Sequence, residues 1–171
     1  MSITFSLADP DIYRIIDRLL PAWNPELDEV GGKVAVLFVE SEDGEPALKN
    51  GGYPAAAIVS IVPLVQRMFV RHDALIRIDH RAWCELPDRC REALLAHELL
   101  HLEVVKDLDP SPGAPWWKTD DIGRPKLKIR PADWNGGDGW KSIVEHYGQE
   151  AIEMRNLNTV RAVAEPALKN H

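Results

Sequence analysis

The sequence predicts an α+β fold: a small mixed sheet packed on one helix, with a second helix further along the chain. Residues 34–39 form a short apolar run rich in β-branched side chains, and residues 75–79 alternate, so both predict strands. Residues 87–106 form a longer apolar stretch that opens with proline and aspartate and has the length of a helix. Residues 140–156 carry apolar side chains at helical spacing, which predicts the downstream helix.

The N-terminal part of the chain predicts one further helix and contains one ambiguous segment. Asp9 and Pro10 form a helix start, apolar residues follow at helical spacing, and Pro21 ends the segment. Residues 41–52 are polar and contain glycines, so they predict a loop. Residues 53–70 begin with alanines that favour a helix and continue with β-branched residues that favour a strand, and a proline interrupts either structure.

Length and composition favour a single domain. The chain has 171 residues, of which 45% are hydrophobic, and a chain of this size builds a core without disulfides. We therefore predict one domain over residues 1–171, with a long irregular loop at about residues 107–139, where proline, glycine and aspartate are frequent. The two cysteines, Cys84 and Cys90, form no Cys-x-x-Cys pair and are expected to be reduced.

Charge and hydropathy exclude several kinds of partner. The formal net charge is -7, so no basic face for nucleic acid is expected. Acidic residues are interspersed with lysine and arginine, which argues against a protein that blocks a nucleic-acid-binding partner by mimicry. No apolar run approaches the roughly 18 residues of a membrane span, and residues 1–10 lack the features of a secretion signal. We therefore expect no membrane contact and a cytoplasmic location.

Residues 97–101 read His97-Glu98-Leu99-Leu100-His101 and carry the clearest chemical signal in the chain. On a helix, residues four apart lie on one face, so His97 and His101 can bind one metal ion, for which zinc is the expected choice. Glu98 can act as general base on a water at that metal. The apolar surroundings indicate that both histidines face the core. The alternative is a pair of core histidines that bond to backbone carbonyls and bind no metal.

A catalytic zinc ion usually has three protein ligands and one open position, so the motif requires a third ligand. The candidates are downstream side chains that can coordinate zinc: His146 first, then Glu150 one turn further along the helix, and the loop aspartates Asp133 and Asp138. The remaining possibilities are His72, His80 or the absence of a third protein ligand.

The segment from Ile76 to His101, which ends in Ala-Leu-Leu-Ala-His-Glu-Leu-Leu-His, resembles the putative phage metallopeptidase family. Further agreement lies at residues 121–126, Asp133, Trp140 and Tyr147-Gly148, so the resemblance covers most of the chain. It implies a zincin-like fold, a peptidase activity inferred from the histidine motif and, for a phage gene, the host cytoplasm as location. In that family a His-Asp pair precedes the aromatic residue that here is Trp140. In this chain the residue directly before Asp133 is Ala132, not histidine. If that histidine is a ligand elsewhere in the family, the third ligand of this chain is different or missing.

We therefore predict a zinc-dependent peptidase in which His97 and His101 bind Zn2+, Glu98 activates water and a downstream residue completes the site. Its partner is a peptide or protein substrate whose identity, like the oligomeric state, the sequence does not indicate. Residues 75–79 are the candidate edge strand for pairing with that peptide. The alternative function is a non-catalytic phage-type binding protein that acts on a host protein and keeps a structural or vestigial zinc site.

Overall fold

The computed structural model describes residues 2–134 and 139–156 of the chain. Its strands are β1 (Ile3–Leu7), β2 (Val34–Ser41), β3 (Lys49–Asn50), β4 (Tyr53–Pro54), β5 (Ala57–Ile61), β6 (Ala74–Asp79), β7 (Leu102–Val104) and β8 (Leu127–Ile129). Its helices are α1 (Pro10–Trp23), α2 (Pro25–Glu29), α3 (Leu64–Arg67), α4 (His80–Glu85), α5 (Asp88–Leu100) and α6 (Lys141–Tyr147), followed by a short 3-10 helix (Gly148–Glu150). Residues 152–156 are also helical.

Four strands form a mixed sheet in the order β1-β2-β6-β5. β2 and β6 run parallel in its centre, with Val36 opposite Ile76, while β1 and β5 pair antiparallel to them at the two edges. The sheet and the helices confirm the predicted α+β class and the small mixed sheet. The predicted edge strand is wrong, because residues 75–79 lie in β6, which has a hydrogen-bonded neighbour on each side. The edge strand beside β6 is β5.

Helix α5 is buried on all sides along its second half. Every residue from Ala93 to Leu100 is buried, including His97 and Glu98. The helix contacts α1 and β5, and its side chains join one contiguous apolar core with those of the sheet. Close packing around a helix leaves it little freedom to shift or rotate. The histidine motif is therefore carried on a rigid element.

Helix α5 ends at Leu100, earlier than the predicted end near residue 106. His101 is its C-cap residue, and the chain continues as β7, which pairs antiparallel with β8. The prediction failed because the valines at the end of the run continue the apolar pattern of the helix, although β-branched residues favour a strand. β8 and two isolated bridges, Lys106 to Trp117 and Thr119 to Pro125, also give residues 107–134 more regular structure than the predicted loop.

The predicted continuous helix over residues 140–156 is interrupted. α6 ends at Tyr147, Gly148 has a φ of 58°, and the 3-10 helix follows before helical structure resumes at residue 152. Glycine adopts this left-handed backbone without strain, which makes it a common helix terminator. The interruption changes which side chains of residues 152–156 face the core, and Glu153 is almost completely buried.

Helix length bears on the expectation of no membrane contact. Within residues 2–134 and 139–156, no helix is both long enough and apolar enough to cross a bilayer. A span needs about 20 apolar residues, whereas α1 has 14 residues and α5 has 13.

Four charged side chains form a cluster that attaches the segment after β7 to the sheet. Arg67 of α3 donates to Asp73, just before β6, at 2.9 Å and to Asp120 at 2.6 Å, and all three side chains are nearly inaccessible to solvent. Arg124 donates to the same oxygen of Asp73 from Nε at 3.0 Å and from Nη2 at 2.7 Å. Buried charges are stable only when each has a close partner. The cluster therefore attaches residues 120–124 to the chain just before β6.

Asp73→Ala is expected to lower the free energy of unfolding by about 3–5 kcal/mol. The substitution removes a carboxylate from the buried Arg67 and an acceptor from the backbone N–H of Lys33. Urea denaturation measures the change. The control is Asp11→Ala, which breaks an ion pair with Arg14 in which both side chains are 79% exposed, and this change should cost at most about 1 kcal/mol. Equal losses in the two variants would contradict the stabilising role of the buried cluster.

Candidate metal centre

The two histidines of the motif face each other at the end of α5. Nε2 of His97 lies 3.2 Å from Nε2 of His101, and the ring centroids are 5.0 Å apart. Two nitrogen ligands of one tetrahedral zinc ion lie about 3.3 Å apart, because each Zn–N bond is about 2.0–2.1 Å long. The pair is therefore spaced as two ligands of a single ion.

The second ring nitrogen of each histidine has its own hydrogen-bond partner. Nδ1 of His97 lies 2.6 Å from Oε1 of Glu153, and Nδ1 of His101 lies 2.9 Å from the carbonyl oxygen of Arg130. An ionised carboxylate and a carbonyl accept hydrogen bonds only, so we assign the ring hydrogens to the Nδ1 atoms. This tautomer directs both Nε2 lone pairs towards the space between the rings, as metal ligation requires.

The same geometry bears on the alternative of two core histidines without a metal. The hydrogen bond from His101 to a backbone carbonyl agrees with that alternative. However, two Nε2 lone pairs at 3.2 Å repel each other. A proton or a metal cation must therefore lie between the two rings, and backbone hydrogen bonds do not remove this requirement.

Glu98 places a buried carboxylate beside the histidine pair. Its side chain is 6% exposed, and Oε1 lies 3.9 Å from Nε2 of His97. Both residues line a cavity of about 320 Å3, together with Glu153 and the backbone around residues 53–57. Glu98 also lines a smaller cavity with His101 and residues of β5. A carboxylate in this position can exchange a proton with a molecule held at the pair.

Three of the predicted third ligands have other partners in the structure. His146, Glu150 and Asp133 are all exposed. The His146 ring contacts Trp23 and Tyr147, a Glu150 oxygen accepts from Arg89 at 3.0 Å, and an Asp133 oxygen accepts from the backbone N–H of Lys141 at 3.0 Å.

The remaining candidates for the third ligand are His80, His72 and Asp138. His80 lies beside Glu40, with their nearest atoms 3.2 Å apart, and its ring contacts Phe38. His72 is exposed, and Asp138 lies outside the described residues. Within residues 2–134 and 139–156, no group of three or more His, Cys, Asp or Glu side chains is arranged to hold a metal ion. The third ligand stays a prediction.

Glu153 is the site residue that the sequence did not indicate. On one continuous helix it would lie about 140° from Trp140, on the polar side. The break at Gly148 changes this register, and Glu153 is 1% exposed beneath His97. Since no local pattern predicts where a helix resumes after such a break, only the folded structure identifies this residue.

Arg130 and Trp140 enclose the end of the motif helix. The Arg130 backbone N–H donates to the carbonyl oxygen of His101 at 2.7 Å, and its Nε donates to that of Leu100 at 3.1 Å. Its guanidinium lies 4.9 Å above the Trp140 ring, and Trp140 Nε1 donates to the carbonyl oxygen of His97 at 3.1 Å. These donors satisfy carbonyls that the last turn of a helix leaves without partners. They hold the motif residues in place from outside the helix.

Tyr147 belongs to the core and lies away from the histidine pair. Its ring stacks on Trp23 with centroids 5.8 Å apart, and its hydroxyl donates to Glu92 at 3.3 Å. Burial and the neighbouring Glu92 carboxylate raise the pKa of Tyr147 to about 12, since both disfavour the tyrosinate.

Comparison with known proteins gives one match. A family model described as putative phage metallopeptidase matches residues 4–165, which is nearly the whole chain. The comparisons with curated proteins and with solved structures found no match. The region covered includes the histidine pair, Glu98, Arg130 and Glu153.

The protein purified without a histidine tag is expected to contain about one zinc ion per chain. His97→Ala and His101→Ala should each lose it, because each removes one of the two facing Nε2 atoms. His146→Ala tests the predicted third ligand: it keeps its zinc if the ring serves only its contacts with Trp23 and Tyr147, and loses it if His146 is a ligand. Metal analysis by mass spectrometry measures all four proteins. A folded wild type that takes up no added zinc would contradict the metal centre.

Tyr147 should make the stability of the protein sensitive to alkaline pH. Its pKa is about 12 in the folded chain and about 10 when unfolded. The unfolded chain therefore loses this proton first, so the stabilising contribution is complete below about pH 10 and is lost as the pH rises to about 12. Chemical denaturation at pH 8 and pH 11 should show a larger loss for the wild type than for Tyr147→Phe. Equal losses would mean that this tyrosine does not contribute.

Proposed function

The chain belongs to the putative phage metallopeptidase family, and from that premise we propose that it is a zinc-dependent peptidase with His97 and His101 as zinc ligands. One observation carries the proposal: two Nε2 atoms 3.2 Å apart whose rings are each held through Nδ1 by a separate acceptor. Imidazole nitrogens suit zinc, and a partner on the second ring nitrogen is the usual companion of metal-bound histidine. Among the described residues these two histidines are the ligands that fit the ion.

Glu98 is the proposed general base. When bound, the zinc ion would polarise the scissile carbonyl and make a water molecule more acidic. The Glu98 carboxylate accepts a proton from the water as the water oxygen attacks the carbonyl carbon, and then gives it to the leaving amine nitrogen as the C–N bond breaks. Its burial beside His97 keeps the carboxylate fixed and close to the reacting groups.

We also propose that the fold is zincin-like and that β5 holds the peptide. The motif helix α5 contacts β5, and β5 is the antiparallel edge strand of a mixed sheet. Ala57 and Val59 of β5 line the cavity that also contains Glu98 and His101. An extended peptide can pair with such an edge through its backbone. This assignment replaces residues 75–79, which lie inside the sheet.

The substrate class follows from this arrangement. Backbone pairing with an edge strand is independent of side-chain identity, so the proposed substrate is a peptide or an unfolded protein segment in extended conformation. The alternative, a non-catalytic phage-type protein that acts on a host protein, keeps the metal for stability alone. A structural zinc site has no use for a general base, whereas the buried Glu98 carboxylate lies 3.9 Å from Nε2 of His97 and lines one cavity with it. This observation favours the peptidase.

Glu98→Gln separates the two functions. We expect zinc-loaded wild type to hydrolyse fluorescently labelled casein and the variant to be about 100- to 10 000-fold slower, because glutamine cannot accept the proton. Zinc content should be unchanged, since the two histidines are intact. The control is Glu85→Gln on α4, an exposed residue that pairs with Arg81, and it should keep full activity. Equal turnover by wild type and Glu98→Gln, or no turnover by the zinc-loaded wild type, would favour the binding protein.

A further inference from the structure

The buried carboxylate of Glu153 is hydrogen-bonded to the ring of His97. The residue belongs to the helical segment 152–156 and is 1% exposed, and one oxygen of its side chain receives two hydrogen bonds. Its Oε1 lies 2.6 Å from His97 Nδ1 and accepts from the backbone N–H of Trp140 at 3.1 Å. The imidazole ring separates this carboxylate from Nε2, the nitrogen that faces His101. Glu153 therefore acts on the metal-facing atom only through the ring.

Residue 139 is a glycine, and its missing side chain leaves room for the side chain of Glu153. A Cβ atom added to Gly139 would lie 2.3 Å from Cγ of Glu153 and 3.0 Å from the ring of Trp134. Carbon atoms cannot approach so closely without a shift of one group. The chain at residue 139 therefore needs glycine, and the next residue, Trp140, supplies the backbone N–H that holds the carboxylate. Two successive residues thus fix the position of Glu153.

Packing alone does not explain why residue 153 is charged. The second oxygen, Oε2, is buried and has no hydrogen-bond partner in the described part of the chain. A glutamine would offer the same acceptor to His97 and Trp140 without a buried negative charge, which is costly. A carboxylate differs from an amide by its charge, and through Nδ1–H this charge makes the other ring nitrogen a stronger donor to a metal.

We propose that Glu153 is a positioning residue that orients the His97 ring and strengthens its binding to zinc, an inference that rests on the zinc site proposed above. Zinc affinity then depends on a side chain more than fifty positions beyond the motif. It follows that the broken helix after Gly148 is part of the metal centre although it supplies no ligand. Glu153→Gln keeps the shape of the side chain and removes the charge, which makes it the informative variant.

Zinc affinity, measured by competition with a chromophoric chelator, tests the proposal. Glu153→Gln is expected to bind zinc about 10- to 100-fold more weakly than wild type. The matched control is Glu85→Gln, an exposed residue that pairs with Arg81, and its affinity should not change. A folded Glu153→Gln with wild-type affinity would overturn the proposal. If this variant does not fold, Glu153→Asp replaces it: the charge is kept but the carboxylate falls short of His97, so weaker zinc binding is expected and unchanged binding overturns the proposal.

The absorption spectrum of the cobalt-substituted protein separates positioning from ligation. For a positioning residue, saturating Co2+ gives Glu153→Gln the same visible bands as wild type, because the ligands are unchanged. An altered band pattern would assign Glu153 as a ligand and overturn the proposed role. The His97→Ala variant shows whether a negative result refutes the positioning role of Glu153 or the metal centre itself. Zinc loss in His97→Ala with unchanged affinity in Glu153→Gln refutes only the positioning role, whereas unchanged zinc in His97→Ala refutes the metal centre.

Discussion

The position of the two Nε2 atoms is the constraint on which the rest of the site depends. At 3.2 Å, two imidazole lone pairs repel unless a cation lies between them. A helix alone would leave both rings free to rotate about their side-chain bonds. Groups far along the chain remove this freedom, the Arg130 carbonyl for His101 and the Glu153 carboxylate for His97. The geometry that the proposed metal centre needs therefore arises only within the folded protein.

The segment that supplies the hydrogen-bond acceptor for His101 is attached to the sheet by the buried charge cluster. Arg130 follows β8, and β8 begins shortly after Arg124, which the cluster holds through Asp73. The intervening segment has few buried apolar residues, so ion pairs and the pairing of β7 with β8 determine its position. At the other end of the segment, Arg130 donates hydrogen bonds to the carbonyl oxygens of His101 and Leu100. The cluster therefore holds one end of this segment, and the end of the motif helix holds the other.

The framework of the fold could be predicted from local sequence, but the surroundings of the metal centre could not. β2 and β6 are short apolar β-branched runs, and the spacing of His97 and His101 places both on one helix face whatever surrounds them. The ambiguous segment 53–70 becomes a strand in β5 because β6 offers it a partner. The motif helix gives way to β7 for the same reason, because β8 offers β7 a pairing partner. Glu153 depends on the break at Gly148, and its partner is more than fifty positions away.

The charges around His97 link metal binding to folding. Glu98 and Glu153 lie 3.9 and 2.6 Å from its two ring nitrogens, and both are buried. Buried carboxylates are costly unless positive charge is close, and a divalent cation held by the histidines supplies two positive charges to two carboxylates. An ion that binds only the folded chain stabilises it by RT ln(1 + [L]/Kd). In the proposed zinc-bound protein, the same two carboxylates would give the ion a base beside it and hold one of its ligands in place.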